Sequence, residues 1–300
     1  MVKVLKDITK VDGITHGGTM HADEVFATAF LDLYFGDFKV KRVVDTPSEV
    51  DNLIVYDILG GKFDHHQKEA RVRSNGIKYS SFGLLFEEYG PRYLEMMKVK
   101  NSKEVYDYFI KDFVLEIDAV DNGIFPLVNA SFKVKMISDI IKLFNPSYLE
   151  NVDSDEQFLK AVTVAKMILV EEFKYVIGKV EANILVSNLL KDNKEEILVL
   201  DKYVPYEEAI LNTSNNIKLV IFPSNRGGYA VKTVQKSATD KTSRVYFPKN
   251  WGGLNKEELV KITGVDDAIF CHVNRFLFST KTLDSALEIA KKTILLNETS

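Results

Sequence analysis

Cysteine is almost absent from this chain of 300 residues. Cys271 is the single cysteine in the sequence. One thiol excludes an intrachain disulfide framework and a zinc module built on cysteine ligands, and such sparse cysteine is typical of a reducing compartment. The sequence therefore predicts a cytoplasmic protein.

Long hydrophobic runs are also lacking. No stretch of 18 apolar residues occurs, and the N-terminus has no apolar core behind a basic start. A membrane-spanning helix needs the first feature and a secretory signal needs the second. We therefore expect no membrane association.

The chain has no excess of positive charge. It carries 39 lysines and arginines against 43 aspartates and glutamates, for a formal net charge of −4. Bulk electrostatic binding of nucleic acid is therefore not expected, although a local basic rim can still hold a short strand. The composition is otherwise that of a globular chain of about two domains.

Histidine is concentrated near the N-terminus, where four of the five lie before residue 67. His16 and His21 flank the loop between a predicted strand at 13–16 and an amphipathic helix that ends at Gly36. Asp23 and Glu24 begin that helix. These four side chains are therefore expected to lie close together.

A second group of the same residue types follows a short apolar strand at 52–56. Asp57 comes at the carboxyl end of that strand, where open α/β sheets bind ligands. Gly60-Gly61 lets the chain turn back, so Asp64, His65 and His66 can face the same crevice. Imidazole and carboxylate together predict a site for Mn²⁺, Mg²⁺ or Zn²⁺.

Two further segments carry polar residues at helix ends. Asp118 and Asp121 share one face near the C-terminus of a helix that begins at about Ser102. Like charges are unfavourable there, so either a cation offsets them or the helix end is solvated. Ser80 and Ser81 begin another helix after a basic loop that contains Arg71; this helix start either binds phosphate or is an ordinary serine cap.

The order strand, helix, strand, turn, strand predicts a parallel α/β sheet. A capping box at Ser154–Gln157 begins a helix that runs to about Leu190, with Gly178 as a point of interruption. The polar cluster Lys191-Asp192-Asn193-Lys194 follows. We therefore expect a catalytic domain at 1–190, including the connecting helix, and a smaller α/β or α+β domain at 191–300.

Taken in order, these segments resemble the motifs of the DHH phosphoesterase superfamily, and more closely those of the melanocyte-proliferating-gene exonuclease family. The segments are Thr15-His16-Gly17-Gly18-Thr19-Met20-His21-Ala22-Asp23-Glu24, Asp57, Asp64-His65-His66, Asp118-Ala119-Val120-Asp121-Asn122-Gly123, Trp251-Gly252-Gly253-Leu254 and Phe270-Cys271-His272. The resemblance covers nearly the full length and implies a DHH-type parallel-sheet catalytic domain.

The resemblance implies two divalent metal ions, with Mn²⁺ expected first and Zn²⁺, Co²⁺ or Mg²⁺ as alternatives. His16, His21 and Asp57 would hold one ion. Asp23, Asp57, His65 and one of Asp118 or Asp121 would hold the other, with Asp57 bridging the two. The wider superfamily has an aspartate where this chain has Met20, and here His21 follows one position later. Imidazole in place of carboxylate favours Mn²⁺, Zn²⁺ or Co²⁺ over Mg²⁺.

Two cations about 3.5–4 Å apart support in-line attack of water on phosphorus without a protein nucleophile. His66 is then expected to contact a phosphate oxygen or the leaving group, and Asp64 to fix an imidazole tautomer. A further set of residues is expected to bind the phosphate of the substrate. These are Arg71, Ser80 and Ser81 in the first domain and Arg244, His272 and Arg275 in the second.

Three functions are consistent with this sequence. The resemblance favours a 3'–5' exonuclease acting on RNA or short oligonucleotides, with a homodimer as one expected assembly. A small-molecule phosphohydrolase acting on pyrophosphate, oligophosphate or a dinucleotide is the alternative. The third is a non-catalytic binding protein stabilised by metal.

Overall fold

The computed structural model describes residues 2–45, 50–191 and 193–298. The chain divides into two compact units, Met1–Val180 and Glu181–Ser300. Each unit contains one β-sheet with helices, so the predicted α/β fold class is confirmed. The domain boundary expected after residue 190 stays a prediction, and Asp192 of its polar cluster lies outside the described residues.

The sheet of the first unit has four parallel strands in the order β1-β3-β2-β4. Parallel pairing places the carboxyl ends of its strands along one edge, where such sheets bind ligands. β2 ends at His16, and β4 ends two residues before Asp57. The strands are β1 (Lys3–Val4), β2 (Gly13–His16), β3 (Lys39–Val43) and β4 (Ile54–Val55).

β4 differs from the buried strand predicted at 52–56. It contains only Ile54 and Val55, and both are half-buried. β4 lies at the edge of the sheet and pairs with β2, so within the part of the chain that the structure describes, one side of its backbone has no neighbouring strand. The short apolar sequence therefore indicated a strand correctly but overestimated its length and burial.

The helices that begin in this unit are α1 (Ala22–Phe35), α2 (Ser81–Met96), α3 (Ser102–Phe109), α4 (Leu115–Asp121), α5 (Ile137–Lys142) and α6 (Ser154–Leu190), the last of which continues into the second unit. α3 continues through a π-helical turn into α4. Aromatic rings from α2, α3 and α6 form the centre of the core, where Phe109 stacks on Phe173 at 4.2 Å and on Phe86 at 4.8 Å between ring centroids. Phe26 of α1 packs on Phe82 of α2 and on Phe113 in the π-helical turn before α4, so the helices that carry the carboxylates also contribute to this core.

α6 ends at Leu190, as the apolar spacing predicted, but the interruption expected at Gly178 does not occur. Its cap differs from the expected capping box, because the side chain of Asp153 accepts the N–H of Asp155 at 2.7 Å. Ser154 is instead the first helical residue. Although α6 is long, neither it nor any other described helix is apolar enough to cross a membrane.

The second unit contains a five-stranded sheet in the order β5-β6-β7-β9-β8. Only β5 and β6 pair in parallel. The smaller mixed domain is therefore confirmed, but its strand β9 was not predicted. The elements are β5 (Ile197–Val199), α7 (Glu207–Asn212), β6 (Leu219–Pro223), β7 (Tyr229–Thr233), α8 (Lys256–Thr263), β8 (Ala268–Cys271), β9 (Leu277–Thr280) and α9 (Leu283–Glu298).

Candidate metal centre

Asp57 lies at the centre of the predicted cluster. Its backbone adopts the left-handed conformation, with φ of +59°, and its N–H donates to the carbonyl of Phe63 at 3.0 Å. Aspartate is among the residues that tolerate this conformation best. The resulting sharp turn after β4 directs a buried carboxylate towards the edge of the sheet.

Histidines approach both oxygens of this carboxylate. Oδ1 lies 3.0 Å from Nε2 of His65 and 3.6 Å from Nδ1 of His66. Oδ2 lies 3.0 Å from Nε2 of His16, but without the geometry of a hydrogen bond. Asp57 therefore faces His16 at the end of β2 and two histidines, His65 and His66, in the loop after β4.

Two more carboxylates converge on His65. Its Nε2 lies 3.1 Å from Oδ2 of Asp121 and 3.6 Å from Oδ2 of Asp23. Asp23 is fully buried, and its Oδ1 has no hydrogen-bond partner. Residues from α1, α4 and the loop after β4 thus meet at one point.

The donor atoms form three groups in which all members lie within 4.8 Å of one another. Asp57 belongs to two of these groups, as a bridging ligand would. Two buried carboxylate oxygens, Asp23 Oδ1 and Asp57 Oδ2, lack hydrogen-bond partners, which is costly unless a cation binds them. The side chains therefore fit divalent cations that accept nitrogen and oxygen ligands. The groups are His16, His21, Glu24 and Asp57; Asp57, His65 and His66; and His21, Asp23 and Asp121.

The protonation equilibria reflect this crowding. Burial raises the pKa of Asp23 and, together with the charge of Asp23, raises that of Asp121 to about 8. Burial opposes ionisation of Asp57, yet contacts with His16 and His65 outweigh it and lower its pKa to about 2. Burial likewise disfavours charged His65, but the surrounding carboxylates raise its pKa to about 9. Protons and divalent ions would compete for these atoms.

Asp118 and Asp121 have different surroundings, although they share a helix. Asp118 is fully buried and accepts hydrogen bonds from Arg73 Nε at 2.7 Å and from Ser80 Oγ at 2.7 Å. The cation that the sequence required beside Asp118 is therefore Arg73. Asp121, one turn later, faces His65 and the cluster.

Ser80 and Ser81 are completely buried at the start of α2. Ser80 caps this helix by accepting the N–H of Gly83, as the ordinary reading of the sequence predicted. Ser81 Oγ donates to Asp23 Oδ2 at 2.7 Å. Both hydroxyls are thus engaged with carboxylates of the site.

Two residues that the sequence did not single out hold the loop at 17–21, between β2 and α1. The side-chain amide of Asn145 accepts the N–H of Met20 at 2.7 Å and donates to the carbonyl of Met20 at 2.8 Å. Arg42 donates to the carbonyl of Gly18 at 2.8 Å. Glu24 was noticed only as a neighbour; its carboxylate is buried, accepts the N–H of His21 and lies 3.5 Å from His16 Nε2.

Asp64 and His66 form a pair at the mouth of the cluster. Asp64 Oδ1 lies 2.8 Å from His66 Nδ1, and Asp64 Oδ2 accepts the N–H of Gly60 at 2.6 Å. The His66 side chain remains 61% exposed. Its orientation is therefore fixed by a carboxylate while its Nε2 edge stays free for another partner.

The donor groups of this cluster do not include Arg71, and the remaining predicted substrate residues belong to the second unit. Arg71 forms an ion pair with Glu87 and stacks on Tyr79. In the second unit, Arg244 donates to the carbonyl of Ile217 at 2.7 Å. His272 and Arg275 share the turn between β8 and β9, where Arg275 N–H donates to the His272 carbonyl at 2.7 Å.

Fold and site together define an α/β protein with a histidine and carboxylate centre at the carboxyl edge of a parallel sheet. The chain belongs to the MYG1 exonuclease family: residues 13–294 match the family model MYG1_exonuc, described as an uncharacterised protein family (UPF0160).

Curated relatives match over nearly the whole chain. The chain is 30% identical to a MYG1 protein of Saccharomyces cerevisiae, over 93% of this chain and 94% of the yeast protein. A MYG1 protein of Dictyostelium discoideum is 29% identical over 93% and 95%, and the MYG1 exonuclease of Homo sapiens is 26% identical over 93% and 85%. No solved structure gives a significant match.

Proposed function

We propose that this chain is a divalent-metal-dependent phosphodiesterase that removes nucleotides from an end of RNA or a short oligonucleotide, in the 3'–5' direction. We also place it in the DHH phosphoesterase superfamily. Three mammalian relatives besides the human one carry the name MYG1 exonuclease, which supports nuclease chemistry. The observation that carries the proposal is the buried Asp57 carboxylate, whose two oxygens face different histidines.

The residues divide between two ligand sets that share Asp57. His16, His21 and Glu24 would complete one set with it. The second set would add Asp23, His65 and Asp121. Mn²⁺ is the first candidate because the donors combine imidazole with several carboxylates, and Zn²⁺, Co²⁺ and Mg²⁺ are alternatives. Bound divalent ions would polarise phosphoryl oxygens, activate water and neutralise developing charge.

The protein's other side chains orient these ligands and the substrate. Ser81 holds Asp23, while Ser80 and Arg73 hold Asp118 in the helix turn that precedes Asp121. Asp64 accepts the Nδ1 proton of His66 and so orients the ring; with a proton also on Nε2, that N–H would donate to a phosphate oxygen or to the leaving group.

The proposal is tested with metal-loaded protein on end-labelled RNA, DNA, a dinucleotide and pyrophosphate in parallel. We expect stepwise shortening of an oligonucleotide from its 3' end. Asp57→Asn should be at least about 100-fold slower, because loss of a shared ligand removes several kcal/mol of transition-state stabilisation. Asparagine also tolerates the left-handed backbone, so the fold should persist.

Each other outcome identifies a different function. Turnover of pyrophosphate or the dinucleotide alone would indicate a small-molecule phosphohydrolase. Metal binding without turnover of any phosphate substrate would indicate a binding protein. Wild-type activity in Asp57→Asn would mean that the centre is assigned to the wrong residues.

A further inference from the structure

The candidate metal centre opens into a cavity of about 630 Å³, formed by the first unit. His21, His65, His66 and Asp121 line it, and so do residues with no role in metal binding. The volume lies within the range of roughly 300–1,000 Å³ that is usual for ligand sites. The cavity therefore has room for more than the reacting phosphate.

Two lysines provide positive charge in this cavity. Lys78 and Lys142 are exposed, and neither forms an ion pair with a carboxylate of the described residues. The side chain of Asn122 donates to the carbonyl oxygens of Lys78 at 3.3 Å and of Asp118 at 2.8 Å, which fixes the Lys78 backbone beside α4. Both ammonium groups are thus available to a phosphate that enters the cavity.

Phe125 connects this cavity to a second one. Its ring is 63% exposed and lines both the first cavity and a neighbouring cavity of about 420 Å³. The second cavity is also lined by Phe132, which is 72% exposed, and by Lys133. Two exposed aromatic rings therefore follow one another in a path that leads away from the metal ligands.

The charge of this path differs from that of the whole protein. Residues 123–138 contain Lys133 and Lys135 but no aspartate or glutamate, in a chain whose net charge is −4. Asp139 follows and lines both cavities, and its carboxylate accepts the N–H of Met136 at 3.1 Å. Exposed aromatic rings interleaved with lysines suit single-stranded nucleic acid, since rings stack on bases and ammonium groups bind phosphates. A purely apolar partner would leave these lysines without a role.

We propose that this path, the strand track, binds the terminal nucleotides of a single-stranded nucleic acid. The track consists of Lys78, Phe125, Phe132, Lys133 and Lys142. Bases stack on Phe125 and then on Phe132, and successive phosphates meet the lysines. The inference rests on the proposed function, whose substrate it specifies as a single strand, not a duplex or pyrophosphate.

The first test measures binding apart from catalysis. A fluorescein-labelled short single strand, as RNA and as DNA, is titrated with the full chain in EDTA, and anisotropy gives Kd. Phe125→Ala and Phe132→Ala should each raise Kd roughly 5- to 100-fold, the usual effect of losing one stacked base. Phe125→Tyr should retain binding. Tyr148→Ala is the matched control, because this ring is 96% exposed and lines neither cavity.

The second test measures how strongly strand binding depends on salt, which reports the number of phosphate contacts made by lysines. The double substitution Lys133→Ala and Lys142→Ala should reduce the magnitude of the negative slope of log K against log salt by about 1.4, since each phosphate contact on a single strand contributes about 0.7. Lys160→Ala on α6 is the control and should leave the slope unchanged. An unchanged slope in the double variant would remove the lysines from the track.

The track and the proposed function can fail separately. If the wild type degrades single strands but Phe125→Ala and Phe132→Ala bind them normally, the track is overturned and the function stands. If these variants lose binding but no protein form hydrolyses nucleic acid, the track stands and the function fails. If sedimentation shows that the substitutions abolish self-association while strand binding is unchanged, the exposed rings form an interface between copies and the track is overturned.

Discussion

Asp57 combines an uncommon backbone conformation with a buried charge. Aspartate and asparagine adopt this positive φ at modest cost. Alanine at this position would lower the stability of the fold by roughly 1–2 kcal/mol. Strained backbone is often found at functional sites, where the surroundings hold it in place. At this position the strain accompanies a carboxylate that contacts histidines through both oxygens.

The two aspartates of α4 should respond differently to substitution. Asp118→Asn should lower the thermal midpoint of unfolding, because it removes the charge that pairs with Arg73, which is largely buried. Loss of one partner of a buried pair costs about 3–5 kcal/mol. Asp121→Asn should instead weaken Mn²⁺ binding with little change in the midpoint. Calorimetric scans and Mn²⁺ titrations of both variants check this, and a metal-binding loss confined to Asp118→Asn would reverse the assignment.

Asn145 is expected to act through the backbone of Met20, next to His21. Asn145→Ala removes both hydrogen bonds to Met20 and should weaken Mn²⁺ binding roughly 10- to 100-fold, as is usual when the support of a metal ligand is lost. Asn297→Ala removes comparable side-chain bonds, to the carbonyls of Tyr246 and Thr293 in the second unit, and should leave Mn²⁺ affinity unchanged. Equal affinity in Asn145→Ala and the wild type would contradict this positioning role.

The sequence was informative about residues that lie near one another along the chain. Loops and strand ends predicted one group around His16 and another around Asp57, and the family resemblance implied that the two share one centre. The structure brings them together. The sequence contained no sign of the supporting residues: Asn145 lies 125 positions from Met20, and Arg73 lies 45 positions from Asp118. Such contacts arise from tertiary packing and leave no local pattern.

Helix α2 depends on a close approach that only glycine permits. A Cβ at Gly83 would lie 2.2 Å from Oδ1 of Asp118, so any side chain must displace that buried carboxylate. Gly83→Ala should therefore destabilise the protein by about 1–3 kcal/mol.

Gly178 in α6 provides the contrast, because a Cβ there meets no atom within 4 Å. Gly178→Ala should stabilise the helix by about 0.5–1 kcal/mol. Thermal unfolding of both variants measures the two effects. The same sign of change in the two midpoints would show that the proximity to Asp118 does not govern α2.

Elements with strong periodicity were predictable, whereas the strands β1 and β9 were missed. The apolar spacing of α1 and α6 was enough to locate both helices, and Gly36 marked the end of α1. β1 has only two residues, one of them a lysine, and β9 has four, two of which are Ser279 and Thr280. Their existence depends on pairing with β3 and with β7 and β8, which only the folded chain reveals.

At the scale of the whole molecule, all members of the candidate metal centre belong to the first unit. The family model nevertheless extends to residue 294, so both units are part of the family's common sequence. Substrate binding by Arg244, His272 and Arg275 in the second unit stays a prediction, as does a homodimer. The exposed lysines and aromatic rings of the strand track give an acidic protein a local surface for a strand.

The central claim is that the side chains around Asp57 bind divalent cations as one shared centre. Calorimetric titration of metal-stripped full-length protein with Mn²⁺, for the wild type and Asp57→Asn, tests it most directly. We predict two ions per wild-type chain and the loss of at least one in Asp57→Asn, with both proteins equally folded by circular dichroism. No Mn²⁺ binding by the wild type, or the same stoichiometry and affinity in both proteins, would contradict the claim.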